Sequence, residues 1–393
     1  MSRIEEYIPI DREEVAGLRK PQNILFVLPD LKQGGSEKVV YNLISKLDRL
    51  LFRSKIAWFH DKKYAPFDTL QDVPMFFIDK KPGFDLKAIH YVSHIIEKEK
   101  IDIINPHHFM PLFYSFYGSK IRHQRKLVYT EHSVWEAERL SGVWKRIGKA
   151  MFACSDVVIG VSPEVTEYLR EKYGLSTHKA LSIVNGIDTE FFTPGPKNGP
   201  LRYKLGFDES HILIGMVGNF RRVKNHEFLV RSFGRIAAEF SNVRLVLVGQ
   251  GFPDDPEGTE KEIKKLVQEM ELSDQVRLLG YRKDVLDILQ ILDIFCLTSY
   301  REGLPLSAIE AMAAGLPVVG TQTDGIRVVV NPGRNGFLVT VNDEEELANA
   351  LESLVSNQAL RIEMGNAARE DAEKFFGLSR CADEYKHLFS SLS

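Results

Sequence analysis

Cysteine is scarce. The chain of 393 residues holds three, Cys154, Cys296 and Cys381, far apart and without a C-x-x-C pair. A spaced zinc site and a disulfide scaffold are both excluded, and the thiols read as small buried hydrophobes. Long apolar runs are missing too: none reaches the roughly 18–20 residues a membrane-spanning helix needs. The N-terminal stretch MSRIEEYIPIDREEVAGLRKPQ is polar and acidic and lacks the apolar core of a secretory signal, so the expected location is the cytoplasm. Charge of one sign is lacking as well. The formal net charge is −3, which gives no global pull towards nucleic acid. The balance is uneven, however: residues 1–200 carry 29 basic against 25 acidic residues and residues 201–393 carry 22 against 29. A basic first half suits an anionic surface or substrate.

What is present is ordinary for a globular protein, with 44% hydrophobic and 27% charged residues. At ~150 residues per domain the length allows two or three domains. Short β-branched apolar runs alternate with amphipathic stretches. The runs 24–28, 156–161, 212–218, 243–248 and 293–297 lack clean polar alternation, which fits strands buried on both faces of a parallel sheet. Between them, Val39, Val40, Leu43, Ile44 and Leu47 mark one helical face, and Ile263, Leu266, Val267 and Met270 mark another. The reading is an α/β protein of two doubly wound domains. An N-terminal extension covers 1–20, a first domain 21–190, a Pro/Gly-rich linker 191–205, a second domain 206–376, and a closing helix lies within 377–393, packing back towards the first domain. Two such domains are expected to face across a cleft lined by the carboxyl ends of their strands, where ligands of open α/β sheets bind.

The most informative segment is 301–325, REGLPLSAIEAMAAGLPVVGTQTDG. Glu302 and Glu310 stand eight positions apart. Pro305 favours the first turn of a helix, so Glu302 falls in a loop and Glu310 about one turn inside. The backbone amides of Leu304, Leu306 and Ser307, with Gly303 beside them, sit where a helix start cradles phosphate. A competing reading makes Ser307 and Glu310 a capping box, with Glu310 purely structural.

These residues resemble the E-x7-E signature of the retaining glycosyltransferase family 4, and other segments agree in order. Val184–Asp188 resembles the family's N-G-(I/V)-D, Ile159–Ser162 the strand end before it, and Leu279–Val285, with Tyr281, its loop near the nucleotide base. The resemblance covers essentially residues 23–390. It implies the GT-B fold, two Rossmann-like domains, and transfer of a sugar from a nucleotide-diphosphate donor, UDP being favoured, to an acceptor hydroxyl with retention. It also implies polysaccharide or glycolipid synthesis and no metal or other cofactor.

Further site residues come from the same resemblance. In Gly218–Asn225, Lys224 matches the diphosphate-binding lysine. The usual arginine position is Asn219, so Arg221 is expected to supply the guanidinium, with Arg222 the alternative. Gly34 and Gly35 correspond to the loop that touches the donor phosphate and shapes the acceptor site; read as residues alone, this is a flexible loop with Ser36 capping the following helix. His132 closes the strand Leu127–Thr130 and Glu131, and corresponds to the histidine beside the reacting carbon. A lone histidine there is otherwise structural. His107 and His108 are placed on the acceptor side. Arg327 stands where the family often has glutamate and is left without a role. The segment 119–126, with Trp135, Trp144, Lys145, Arg146 and Lys149, suits an anionic lipid surface or a solvated basic helix end. The competing functions are a sugar-nucleotide epimerase or phosphorylase on the same fold, or a non-catalytic nucleotide-sugar-binding subunit.

Overall fold

The structure is a computed structural model. It describes residues 20–31, 34–61, 70, 72–197, 199–251 and 258–392, without the side chains of 135–137. The extension read at 1–20 therefore lies outside the described residues except for Lys20, as does the Trp135 side chain.

The described residues divide into two compact units: those within 20–186 with 378–392, and those within 187–377. In the first, β1 (Gln22–Leu28), β2 (Phe52–Trp58), β3 (Met75–Phe77), β4 (Ile103–Pro106), β5 (Lys126–Glu131), β6 (Val157–Gly160) and β7 (Ala180–Ser182) form one parallel sheet in the order β3-β2-β1-β4-β5-β6-β7. In the second, β8 (Ile212–Val217), β9 (Val243–Val248), β10 (Val276–Leu278), β11 (Ile294–Leu297), β12 (Val318–Thr321) and β13 (Gly336–Val339) run in the order β10-β9-β8-β11-β12-β13. Both orders reverse direction beside the first strand, as in a Rossmann-like sheet. This is the expected fold class.

Strand β1 shows why the runs are apolar throughout. Successive side chains point to opposite faces. Leu25 and Val27 enter a core beneath the helix Leu86–Lys98, while Ile24, Phe26 and Leu28 enter a second core on the other face. A sheet covered on both sides has no wet face on which a polar residue could sit.

The last helix, Leu378–Ser391, belongs to the first unit. Its Cys381, Ala382, Tyr385, Leu388 and Phe389 complete the second of those cores, and Gln22 Nε2 donates to Phe389 O over 3.0 Å. The chain leaves the first unit at Gly186–Ile187 and returns at Gly377–Leu378. Within the second unit Ile187 pairs with Gly377, its N–H reaching Phe376 O at 2.8 Å.

The expected linker at 191–205 is not a linker. It is packed into the second unit and ends in the short helix Pro200–Lys204. The Arg202 side chain is buried, donating to Lys197 O, Ile291 O and Asp208 O, and lies 3.7 Å from Asp293. Proline and glycine signal the absence of periodic structure; they do not signal the absence of packing.

Candidate functional site

The candidate residues gather at the carboxyl ends of the strands that flank each switch point. In the second unit these are β8 and β11. Lys224 follows β8 on a 3-10 turn, Arg222–Lys224, that leads into the next helix. Asn225 then turns left-handed at φ 52, a conformation asparagine tolerates, before the helix His226–Glu239 begins. The turn is fastened to the strand end of β11: Thr298 Oγ1 donates towards Asn225 O (3.0 Å) and Lys224 O (3.2 Å), and Tyr300 N reaches Val223 O at 2.8 Å. Lys224 Nζ lies 2.6 Å from Glu302 Oε1, and Ser299 Oγ donates to the same oxygen over 2.5 Å. Sequence reasoning missed Ser299 and Thr298; their signal was a pair of hydroxyls at the end of an apolar strand. Arg221 and Arg222 are both exposed.

The E-x7-E segment folds as a loop and then the helix Leu306–Ala313. Glu302 lies in the loop. Glu310 is 3% exposed, on a helix whose other residues are small or aliphatic. The N-cap is Pro305, and no side chain caps the helix. Ser307 is thus a helical residue, and the capping box does not form. The amides of Leu306 and Ser307 belong to the first turn, which has no intrahelical acceptors for them. Leu304 and Leu306 are buried, while Gly303 and Ser307 are half-buried. Gly325 backs this loop so closely that an added Cβ would come 2.7 Å from both Glu302 O and Gly303 O. Tyr281 is exposed on the loop after β10, next to Arg282, whose Nε donates to Asp284 Oδ1 over 2.8 Å.

In the first unit the corresponding ends are those of β1, β4 and β5. Gly34 is the extended N-cap of the helix Gly35–Lys46 at φ −87 and receives no side-chain cap. Ser36 does not cap the helix; its hydroxyl donates to Glu37 Oε1 at 3.0 Å. Glu37 is a buried carboxylate on that helix, unremarked in the sequence. Burial pushes its carboxyl above the ordinary range, its own backbone amide opposes that, Asp30 adds to it and His108 works against it.

Beyond β4 and β5 three imidazoles meet. His107 Nδ1 lies 2.7 Å from His132 Nε2, and the His132 ring centroid is 5.0 Å from His107 and 4.8 Å from His108. His107 and His108, assigned to the acceptor side, and His132, assigned to the donor side, therefore form one cluster. His108 sits at φ 72, ψ 160, which for a residue with a Cβ stores strain. Glu131, fully buried, accepts from Tyr129 Oη (2.6 Å), His132 N (2.9 Å) and Ser133 N (3.2 Å), so it fixes the backbone on which His132 stands. Burial depresses His107 to about 3, with the neighbouring His108 adding to it. His132 is held well below the ordinary value by burial, then by His108 and His107. Neutral imidazoles can pass hydrogen bonds in one direction, which cationic ones cannot. Among the described residues no cluster of three or more His, Cys, Asp or Glu is arranged to hold a metal ion.

Known proteins agree with this architecture. Residues 33–191 match the family described as Glycosyltransferase Family 4, and residues 199–371 match Glycosyl transferases group 1. An N-acetyl-alpha-D-glucosaminyl L-malate synthase from Bacillus anthracis is 29% identical over 315 residues, spanning 78% of this chain and 79% of that protein. A UDP-Gal:alpha-D-GlcNAc-diphosphoundecaprenol alpha-1,3-galactosyltransferase from Escherichia coli is 27% identical over the same shares of the two chains. The crystal structure of Anabaena HepE in complex with UDP superimposes with a TM-score of 0.83 at 22% identity, covering 94% of this chain and all of that one. With both sheets Rossmann-like and both halves of the chain matched in order, the protein belongs to the family 4, group 1 glycosyltransferases of the GT-B fold.

Proposed function

We propose that the protein transfers a hexosyl unit from a nucleoside-diphosphate sugar, a UDP-sugar in the first instance, to an acceptor hydroxyl with retention at the anomeric carbon. The observation that carries this reading is the Lys224–Glu302–Ser299 constellation at the ends of β8 and β11, directly before the helix start at Leu306. It pairs a cation and free amides for a diphosphate with carboxylates for hydroxyls, the two chemistries a nucleotide sugar presents.

The expected reaction departs through an oxocarbenium-like transition state with negative charge growing on the leaving diphosphate. Lys224, Arg221 (or its neighbour Arg222) and the amides of Leu306 and Ser307 stabilise that charge where it develops. Glu302 holds hydroxyls of the sugar, Glu310 the ribose diol and Tyr281 the base side, so the carboxylates position the donor and do not form a covalent bond. Gly303 and Leu304 shape the phosphate cradle. In the first domain Gly34 and Gly35 approach the donor phosphate and the acceptor, His132 contacts the sugar, and His107 and His108 stand on the acceptor side. No metal or other cofactor is assigned to the transfer.

UDP is supported by the HepE complexes with UDP, UDP and glucose, and UDP-glucose, and by the UDP-Gal donor named for the Escherichia coli relative. The acceptors named for the two relatives differ, L-malate in one and a diphosphoundecaprenol-linked sugar in the other. The acceptor is therefore assigned only by class, as a glycan, a lipid-linked sugar or a small molecule, with cell-surface polysaccharide or glycolipid synthesis the favoured role. Membrane contact from the cytoplasmic side is supported by the helix Gly142–Cys154, where Val143 and Trp144 are exposed beside Lys145, Arg146 and Lys149. No helix among the described residues is long and apolar enough to cross a membrane.

The test is release of nucleoside diphosphate from a panel of UDP-, GDP- and ADP-sugars, with and without candidate acceptors. Acceptor-stimulated release supports transfer. Tight binding of a nucleotide sugar without any release would favour a binding subunit, and an isomerised donor would favour an epimerase.

A further inference from the structure

Strand β4 carries one strongly polar side chain into the core, and its orientation fixes the protons of two histidines beyond it. Asn105 Nδ2 lies 2.6 Å from Val128 O and 3.0 Å from Thr130 Oγ1. A backbone carbonyl only accepts, so the amide nitrogen must face it, and Asn105 Oδ1 must point the other way. That oxygen lies 3.2 Å from His107 Nε2 and requires a proton there. The His107 ring is fully buried and neutral, so it carries a single proton. With that proton on Nε2, Nδ1 is a bare lone pair. His132 Nε2 stands 2.7 Å from that lone pair and must supply the proton between them. His132 is neutral for the same reason as His107, so its Nδ1 is unprotonated. Among the described residues no hydrogen bond is made by that nitrogen.

We propose that Asn105 and His107 are positioning residues that hold His132 as the Nε2–H tautomer in one ring orientation, so that His132 Nδ1 accepts a hydrogen bond from a hydroxyl of the bound sugar. The source of the hydroxyl rests on the glycosyl-transfer reading; the tautomer does not. In water a neutral imidazole exchanges between two tautomers and its ring turns freely. A one-way chain of hydrogen bonds from His132 through His107 to an amide anchored on the backbone removes both freedoms. The consequence is selectivity. A lone pair welcomes a hydroxyl and repels a carboxylate or phosphate oxygen, whereas the opposite tautomer would present an N–H and invite those anions.

The experiment is long-range ¹H–¹⁵N correlation NMR on the full chain labelled at histidine, run beside donor-binding measurements. The chain has 11 histidines, so the His132 signals are assigned from their loss in His132→Gln. The expected spectrum has a protonated Nε2 whose proton is protected from exchange, and a bare Nδ1. In His107→Leu the protected proton disappears and the affinity for the nucleotide sugar falls about three- to tenfold, the usual worth of one hydrogen bond. His107→Asn restores both, because its amide oxygen stands near the place of Nδ1 and accepts in its stead. Circular dichroism and melting of both variants show that they are folded. A proton on His132 Nδ1 in the unaltered protein would overturn the proposal by itself. So would wild-type donor affinity in His107→Leu once the protected proton is gone. Failure of the unaltered protein to bind any nucleotide sugar would remove the functional reading and the hydroxyl with it, while the tautomer result would stand alone.

Discussion

Lys224 Nζ stands 2.6 Å from Glu302 Oε1, so the residue assigned to the diphosphate and the residue assigned to the sugar neutralise one another before any donor arrives. Both side chains are largely removed from water, 24% and 11% exposed. Such a pair holds its partners in place, and a diphosphate competes with Glu302 for the ammonium. Removing one partner leaves the other charge half-buried and alone, which adds a stability cost to any catalytic one.

Lys224→Ala is therefore expected to lower turnover at saturating donor by roughly 10²–10³-fold, as loss of one preorganised charge does elsewhere. Its melting temperature should also fall. The double variant Lys224→Met with Glu302→Gln removes the orphaned charge, and should recover the melting temperature without recovering turnover. Stopped assays of diphosphate release and thermal melts on the same preparations read both quantities. Unchanged turnover in Lys224→Ala would reduce the pair to a structural contact.

Glu310→Gln should weaken donor binding roughly tenfold to a hundredfold, the worth of a charged hydrogen bond at ~1.5–3 kcal/mol, and leave the fold intact. The helix is started by Pro305 and not by a Ser307 capping box, so Glu310 has no capping role to lose. Calorimetric titration with the donor and a melt separate the two readings. Wild-type affinity together with a lowered melting temperature would make Glu310 a structural residue.

Gly325→Ala addresses the loop from behind. An added Cβ would lie 2.7 Å from the Glu302 and Gly303 carbonyl oxygens, closer than side chains approach backbone, so the loop must move. Overpacking of this kind costs ~1–3 kcal/mol. Donor KM should rise and the melt should fall together, although residue 325 is given no ligand contact. A variant with wild-type KM would show that the loop shifts without carrying Glu302 out of position.

Much of this was legible in the sequence because the signals are local. Apolar runs such as 243–248 mark strands whose two faces are both covered, and Pro305 marks the start of the helix that carries Glu310. What was not legible depends on partners distant in sequence. Nothing near residue 224 announces Ser299 or Glu302, which reach it only because β8 and β11 are neighbours in the sheet. Nothing local to Asn105, at the end of its strand beside His107, announces that Val128 and Thr130 orient its amide. The segment 191–205 looked free because proline and glycine hide packing, while a single buried arginine, Arg202, ties it to the second domain.

The buried histidines set a pH dependence with a definite sign. Burial, reinforced by the Lys224 charge, brings His226 down to about 4, and its ring stacks on Phe220 with centroids 4.4 Å apart. An unfolded histidine titrates near 6.5, so between about pH 6.5 and 4 the unfolded chain binds a proton that the folded one refuses. Stability contributed by His226 is present above that window and is lost as pH falls through it, at ~1.4 kcal/mol per pH unit. His226→Phe keeps the stacked ring and removes the titration. The variant should lose less stability than the unaltered protein between pH 6.5 and 4, as read from melting temperatures across buffers. Parallel curves would show that His226 is protonated in the folded state.

Metal dependence and stereochemistry are tested together. In the proposed reaction the leaving diphosphate is neutralised by Lys224, by Arg221 or Arg222, and by the amides at the start of the helix Leu306–Ala313. If those groups carry the whole load, transfer proceeds in excess chelator at an undiminished rate. If attack and departure occur on the same face, the product keeps the anomeric configuration of the donor. A reaction run in EDTA, with the product's anomeric coupling read by NMR, gives both answers from one tube. Activity lost in EDTA and restored by magnesium or manganese would transfer part of the charge stabilisation from Lys224 to a divalent ion. An inverted anomer would reach further. Inversion needs a base on the face opposite the leaving group, and Glu302 and Glu310 would then require a catalytic role in place of the positioning one assigned to them.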